Sequence, residues 1–116
     1  MRGGFFNRHF TDYYKRVCDL LFVYGTLRSG FDNPYAQLLR ARSVFVGKAA
    51  VRGTVRETGQ YPAFMPGPDG EVAGELYRLE TPVATLATLD DYEGEAYERV
   101  IVDVGDERAW IYQLRQ

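Results

Sequence analysis

A glutamate ends the apolar stripe of a predicted helix, where it could perform acid–base chemistry. The helix covers residues 81–94, because a threonine followed by a proline begins it and a glycine ends it. At 100° per residue, Leu86, Leu89 and Glu93 lie on one face, with Val83 at the edge of the same stripe. Burial and the negative end of the helix dipole both disfavour an ionised carboxyl group there. Glu93 is therefore a candidate general acid or base.

Two other interpretations of Glu93 stay open at this point. The side chain could be exposed in a fraying last turn, or it could pair with Arg99. Asp90 is the second carboxylate near the stripe, and we expect it to bond backbone amides or an arginine instead of performing chemistry. Asp91 points away from the stripe, so water can solvate it.

The second candidate site is the glycine loop, which we define as Tyr24-Gly25-Thr26-Leu27. A glycine directly after a buried strand lets the chain turn sharply and lets the backbone approach a ligand. The amides that follow could bind a carboxylate or a developing oxyanion. A plain junction between a strand and a turn is the alternative. Arg28 could contact a ligand carboxylate or form a surface salt bridge.

Composition restricts the chemistry that these residues could share. The 116 residues include one histidine, His9, and one cysteine, Cys18, and neither is predicted to have a role. A metal site built on several histidines, a cysteine-based zinc site and an intrachain disulfide are therefore excluded. Acid–base catalysis must come from carboxylates, lysines or tyrosines. We expect no metal and no cofactor.

Charge and hydropathy exclude two classes of partner. The net charge is −2, so the strongly basic footprint of a dedicated nucleic-acid-binding protein is missing. No run approaches the ~18 apolar residues that a membrane-spanning helix needs. We expect one cytoplasmic domain, present as a monomer or a weak dimer, that binds neither nucleic acid nor membrane.

The predicted elements define a small α+β domain. We expect about six strands and two or three flanking helices, in a mixed and mostly antiparallel sheet that curls into a small barrel. The dense turn cluster at residues 66–70 predicts a hairpin between two short strands. The predicted strands are 21–24, 44–57, 61–65, 72–79, 97–104 and 109–114, and a short helix is predicted over 34–39. Residues 1–20 are predicted to be a helical or partly disordered extension, and residues 21–116 the domain.

Four ordered motifs resemble those of the γ-glutamylcyclotransferase-like (AIG2-like) superfamily. They are Leu21-Phe22-Val23-Tyr24-Gly25-Thr26-Leu27-Arg28, Tyr61-Pro62-Ala63, Gly74-Glu75-Leu76-Tyr77 and Leu89-Asp90-Asp91-Tyr92-Glu93-Gly94, the last followed by Tyr97 and Arg99. The resemblance covers Leu21 to about Gln116 and leaves residues 1–20 without a counterpart. It implies a small mixed barrel, a glycine loop that binds substrate and one catalytic glutamate, which by motif is Glu93.

The resemblance also implies a reaction. The α-amino group of a small-molecule γ-glutamyl substrate attacks its own side-chain amide carbonyl, releasing 5-oxoproline and an amine or amino acid. One carboxylate suffices for the proton transfers, and the loop amides would bind the substrate carboxylate or the oxyanion. The candidate pocket walls are Tyr61, Phe64, Tyr97 and Tyr112, of which Tyr61 is the first choice.

Two alternatives to this enzyme remain. The chain could be a non-catalytic domain of the same fold that binds a small molecule, since a fold does not establish an activity. It could also perform a deprotecting acyl-transfer step on a larger γ-glutamyl amide in a biosynthetic pathway. The sequence does not identify the leaving amine.

Overall fold

All five strands of the described chain join one mixed sheet. The computed structural model describes residues 18–57 and 62–115. Along the chain, the elements are β1 (Leu20–Val23), α1 (Pro34–Ala41), β2 (Ser43–Glu57), β3 (Pro62–Leu79), α2 (Pro82–Glu93), β4 (Tyr97–Val104) and β5 (Glu107–Leu114). Their order in the sheet is β2-β3-β1-β5-β4. Short apolar β1 is therefore the central strand, and it precedes the glycine loop directly.

The α+β class and the mixed sheet are confirmed. Strand β1 runs antiparallel to β3 and parallel to β5, with Leu21 opposite Trp110. The sheet predicted to curl into a small barrel is not closed, because β2 and β4 are its two edges and do not pair with each other within the described ranges. About six strands were predicted, and the described ranges contain five, because the two segments predicted on either side of residues 66–70 belong to one strand.

The turn cluster at residues 66–70 forms a bulge and not a hairpin. Both flanking segments pair with β2, and the register passes from Arg52 opposite Glu71 to Gly53 opposite Pro66. The four residues of β3 between Pro66 and Glu71 therefore have no partner in β2. The 15-residue strand β2 is long enough to pair with both segments, so the proline- and glycine-rich stretch interrupts the pairing without reversing the chain.

Alternating side chains of β1 divide the apolar interior between the two faces of the sheet. Leu20 and Phe22 pack in one cluster, and Leu21 and Val23 pack in the other. The second cluster also contains Leu39 of α1 and two leucines of α2, so both helices cover the same face of the sheet.

Helix α2 begins and ends as the sequence predicts, but its buried face is shifted. Leu86 and Leu89 are buried, whereas Val83 is 78% exposed, so its assignment to the apolar stripe is wrong. Thr85 is fully buried, which moves the centre of the buried arc to a position about 110° from Val83. Neither helix of the described chain is long and apolar enough to cross a membrane.

The residues before β1 contact the sheet where they are described. Trp110 donates its indole N–H to the Cys18 carbonyl at 3.0 Å, and Arg78 pairs with Asp19 at 3.0 Å. The helix or disorder predicted for the start of the chain concerns residues 1–17, which lie outside the described residues. The division between residues 1–20 and 21–116 stays a prediction.

Gly74 provides a test of how β3 packs on β1. A Cβ atom at this position would lie 2.4 Å from the Val23 carbonyl oxygen and 2.6 Å from Phe22 Cζ. We expect Gly74→Ala to lower the free energy of unfolding by about 1–3 kcal/mol, as measured by urea denaturation. Gly67→Ala is the control, because its added Cβ meets nothing within 4 Å. Equal stability of the two variants would contradict the described contact.

Candidate active site

The glycine loop and the end of helix α2 enclose one small cavity. The cavity has a volume of about 110 Å³. Its lining residues are Phe22, Val23, Tyr24, Gly25, Thr26, Leu27, Tyr92, Glu93, Tyr97 and Tyr112. The two sites that the sequence suggested separately are therefore one site. Of the candidate walls, Tyr97 and Tyr112 line the cavity, Phe64 packs against the Tyr24 ring at 6.0 Å, and Tyr61 lies outside the described residues.

Glu93 is the carboxyl group that lines this cavity. It is the last residue of α2, and its side chain is half-buried among tyrosines. Burial, and secondarily the negative charge of Asp90, raises the pKa of Glu93 from 4.5 to about 7. The carboxyl group can therefore both accept and donate a proton near neutral pH. The fully exposed position considered in the sequence analysis is not observed.

The arginine that could have paired with Glu93 pairs with Asp90 instead. Arg99 donates to its two carboxylate oxygens at 2.8 and 3.1 Å, and the Tyr112 hydroxyl donates to it at 2.6 Å. Burial alone would raise the pKa of Asp90, but these hydrogen bonds and the charge of Arg99 outweigh it and lower that pKa. Asp90 therefore stays ionised one helical turn from Glu93 and disfavours a second negative charge.

Tyr24 connects three strands at the cavity wall. Its hydroxyl donates to the Tyr112 carbonyl at 2.8 Å and accepts from the Phe64 amide at 2.9 Å. Burial raises the pKa of Tyr24, and nearby Glu93 adds to the effect, so the phenol stays neutral. The ring is thereby fixed between β1, β3 and β5.

Thr26 connects the glycine loop to both helices. Its hydroxyl shares a 2.5 Å hydrogen bond with the hydroxyl of Tyr92 on α2. Its carbonyl accepts from the Asn33 side chain at 2.8 Å, and the same asparagine caps α1 through its other side-chain atom. Tyr92 in turn stacks on Tyr35 of α1 at 4.4 Å. The loop is thus held by helices on two sides.

All four residues of the glycine loop line the cavity. The Gly25 carbonyl accepts from the backbone and side chain of Arg28, at 3.2 and 3.0 Å, which forms a tight turn. Among the turn and loop hydrogen bonds of residues 18–57 and 62–115, none is donated by the amides of Gly25, Thr26 or Leu27. Arg28 stabilises the loop itself and lies over the Phe31 ring.

The sequence analysis missed Tyr92 and Asn33. No sequence pattern distinguishes Tyr92 from an exposed tyrosine, and Asn33, directly before the predicted helix 34–39, has the residue type of an ordinary helix cap. Both reach the site through side-chain hydrogen bonds that join separate elements. Among the residues that the structure describes, no group of three or more histidine, cysteine, aspartate and glutamate side chains could hold a metal ion.

The mixed sheet with two helices on one face is shared with a solved gamma-glutamyl cyclotransferase, with a TM-score of 0.64 and 20% identity, covering 84% of this chain and 67% of that one. The chain superposes on the uncharacterized protein PH0828 of Pyrococcus horikoshii with a TM-score of 0.69 and 24% identity, covering 83% of this chain and 77% of that one. This likeness concerns the fold alone.

Sequence comparison assigns the family. The family model for gamma-glutamyl cyclotransferase, AIG2-like, matches residues 21–116. The gamma-glutamylcyclotransferase family protein YtfP of Escherichia coli K12 is 36% identical over 98 residues, covering 79% of each chain. The family protein ytfP of Citrobacter rodentium is 33% identical over 95 residues, covering 79% of this chain and 78% of the relative. The chain belongs to the gamma-glutamyl cyclotransferase, AIG2-like family.

The raised pKa of Glu93 predicts that this residue lowers stability. A carboxyl whose pKa is 4.5 unfolded and about 7 folded favours the folded state most at low pH, and that contribution is lost as the pH rises through 7. We expect Glu93→Gln to raise the free energy of unfolding at pH 8 by about 1–3 kcal/mol, and by less at pH 5. Urea denaturation at both pH values measures this difference.

Asp91→Asn is the matched control for this prediction. It removes an exposed carboxylate from the same helix, two residues from Glu93. We expect its stability to stay within about 0.5 kcal/mol of the parent protein at both pH values. A Glu93→Gln variant that is no more stable at pH 8 than at pH 5, relative to the parent, would show that the carboxyl is well solvated.

Proposed function

We propose that this chain is a γ-glutamyl cyclotransferase, which releases 5-oxoproline from a small γ-glutamyl amide. The observation that supports this proposal is the cavity that the half-buried Glu93 shares with the residues of the glycine loop. Family membership supports the same class of reaction. The reaction needs one proton relay and one anion site, and the cavity supplies a candidate for each.

The reaction is an intramolecular aminolysis. The α-amino nitrogen of the substrate forms a bond to its side-chain carbonyl carbon, and the bond from that carbon to the amide nitrogen breaks. Two protons leave the attacking nitrogen and end on the leaving amine, which departs as an ammonium ion. No water is consumed and no redox change occurs.

Glu93 is proposed to relay these protons. As a carboxylate it accepts a proton from the substrate ammonium, which frees the nitrogen lone pair for attack. As a neutral acid it then donates this proton to the leaving nitrogen, which restores the carboxylate, and a second cycle transfers the second proton in the same way. A pKa of about 7 suits both steps, because neither form of the side chain is strongly favoured at neutral pH.

The glycine loop is proposed to bind the negative charge of the substrate. The backbone amides of Gly25, Thr26 and Leu27 could donate hydrogen bonds to the α-carboxylate or to the oxyanion that forms during attack. In well-studied enzymes, one such donor contributes about 3 kcal/mol to the transition state. Tyr24 and Tyr97 then enclose the small glutamyl group, because both line the same cavity.

A substrate panel tests the proposed activity. We expect release of 5-oxoproline from γ-glutamyl-alanine or from a γ-glutamyl alkylamide, and loss of activity by at least about 10²-fold in Glu93→Gln. Chromatography of 5-oxoproline measures the rate, and Asp91→Asn is the active control. Binding of these compounds with no release by the parent protein would favour a non-catalytic binding domain. Turnover of larger γ-glutamyl amides alone would favour the deprotecting reaction.

The pH dependence of the rate tests the role of Glu93. Because its carboxylate form must accept the first proton, kcat/KM should rise by about tenfold per pH unit below pH 7 and level off above it. At higher pH it should fall again as the free substrate loses its ammonium proton. Stopped assays from pH 5 to pH 9 measure the profile. A flat profile between pH 5 and pH 8 would exclude Glu93 as the base.

A further inference from the structure

The Gly74-Glu75-Leu76-Tyr77 motif contains a buried carboxylate with no part in the proposed chemistry. Glu75 is 9% exposed and lies on β3, opposite Val23, the last residue of β1. Glu75 does not line the cavity that contains Glu93. A buried charge is costly unless hydrogen bonds satisfy it, so the partners of this carboxylate indicate its role.

Both oxygens of Glu75 are held by one residue beyond the glycine loop. Ser29 donates its backbone N–H to Oε1 and its hydroxyl to Oε2, each at 2.7 Å. The Tyr77 hydroxyl donates to Oε1 at 2.9 Å and fixes the carboxylate from the other side. Burial alone would raise the pKa of Glu75, but these hydrogen bonds outweigh it and lower that pKa.

Glu75 therefore holds the glycine loop at both ends. At the start, its backbone lies opposite Val23, immediately before the loop. At the far end, its side chain holds Ser29, two residues after the loop. The intervening chain turns tightly, with Arg28 bonded back to Gly25. A displacement of Ser29 would move the loop amides relative to the end of α2.

We infer that Glu75 is a positioning residue, which holds the amides of the glycine loop in register with Glu93. This inference rests on the proposed function for its kinetic test and on the loop geometry for its structural test. Glu75 does not line the cavity, and its side-chain hydrogen bonds join it to Ser29 and Tyr77, so it acts through Ser29 and the loop. Tyr77 supports it by orienting the carboxylate.

Two substitutions at Glu75 separate hydrogen bonding from charge. Glu75→Leu removes all three hydrogen bonds, whereas Glu75→Gln can keep an acceptor for Ser29 N–H and Tyr77 while its amide donates to the Ser29 hydroxyl. We expect kcat/KM to fall by about 10²-fold in Glu75→Leu and by less than about threefold in Glu75→Gln. The pH profile should keep its midpoint in both variants, since Glu93 is not contacted.

Ser29→Ala and Asp19→Asn complete the design. Ser29→Ala removes only the hydrogen bond from the Ser29 hydroxyl. Its kcat/KM should therefore lie between those of Glu75→Gln and Glu75→Leu. This variant also provides the test if Glu75→Leu does not fold. Added to Glu75→Leu, it should cost nothing further, because the partner is already lost. Asp19→Asn removes the ion pair with Arg78 at the other end of the β1–β3 pairing and should leave the rate unchanged.

Amide NMR distinguishes failure of this inference from failure of the proposed function. We expect Glu75→Leu to shift the amide signals of Gly25, Thr26 and Leu27 and to speed hydrogen exchange at Ser29, with or without turnover by the parent protein. If the parent protein releases no 5-oxoproline but these changes occur, the proposed function fails and the positioning role stands. Unchanged loop signals, or a kcat/KM within threefold of the parent in Glu75→Leu, would overturn the inference, and so would equal losses in Glu75→Gln and Glu75→Leu.

Discussion

The rest of the site depends on the removal of one carboxyl group, that of Glu93, from full contact with water. Helix α2 causes this, because Leu86 and Leu89 bury its face on the sheet and Glu93 continues the same face to the cavity. The desolvated carboxyl loses part of its preference for the charged form. The packing of α2 on the sheet thereby sets the pKa of Glu93 at the edge of the core.

Three carboxylates near the site show how strongly local partners decide ionisation. Asp90 has Arg99 and Tyr112, and Glu75 has Ser29 and Tyr77, so hydrogen bonds lower both pKa values despite burial. Burial desolvates Glu93, and the negative charge of Asp90 adds to the effect, so its pKa rises. The first two groups are suited to hold structure and the third to exchange protons. Residue type alone would not distinguish them.

Local signals made part of the fold predictable. The Thr81-Pro82 start and the Gly94 end predict α2, and alternation predicts β4 over the observed residues, because caps and periodicity are properties of neighbouring residues. The bulge in β3 was mistaken for a hairpin, because turn residues do not reveal whether a longer strand can pair with both sides.

The side-chain network of the site was less predictable than its chain positions. Glu93 and the glycine loop are found from helical spacing and motif, and the structure brings them to one cavity. The bonds from Glu75 to Ser29 and from Thr26 to Tyr92 span 46 and 66 residues. Such pairings depend on three-dimensional register, which no local pattern encodes.

The central place of β1 has a consequence for synthesis of the chain. Leu20–Val23 is among the earliest described segments, yet its two neighbours in the sheet are β3 and β5, and β5 ends at Leu114. During synthesis, both edges of this strand can be covered only after the chain has been made as far as Leu114. The cavity between the glycine loop and α2 would therefore form only after β5, which contributes Tyr112 to its wall, has joined the sheet.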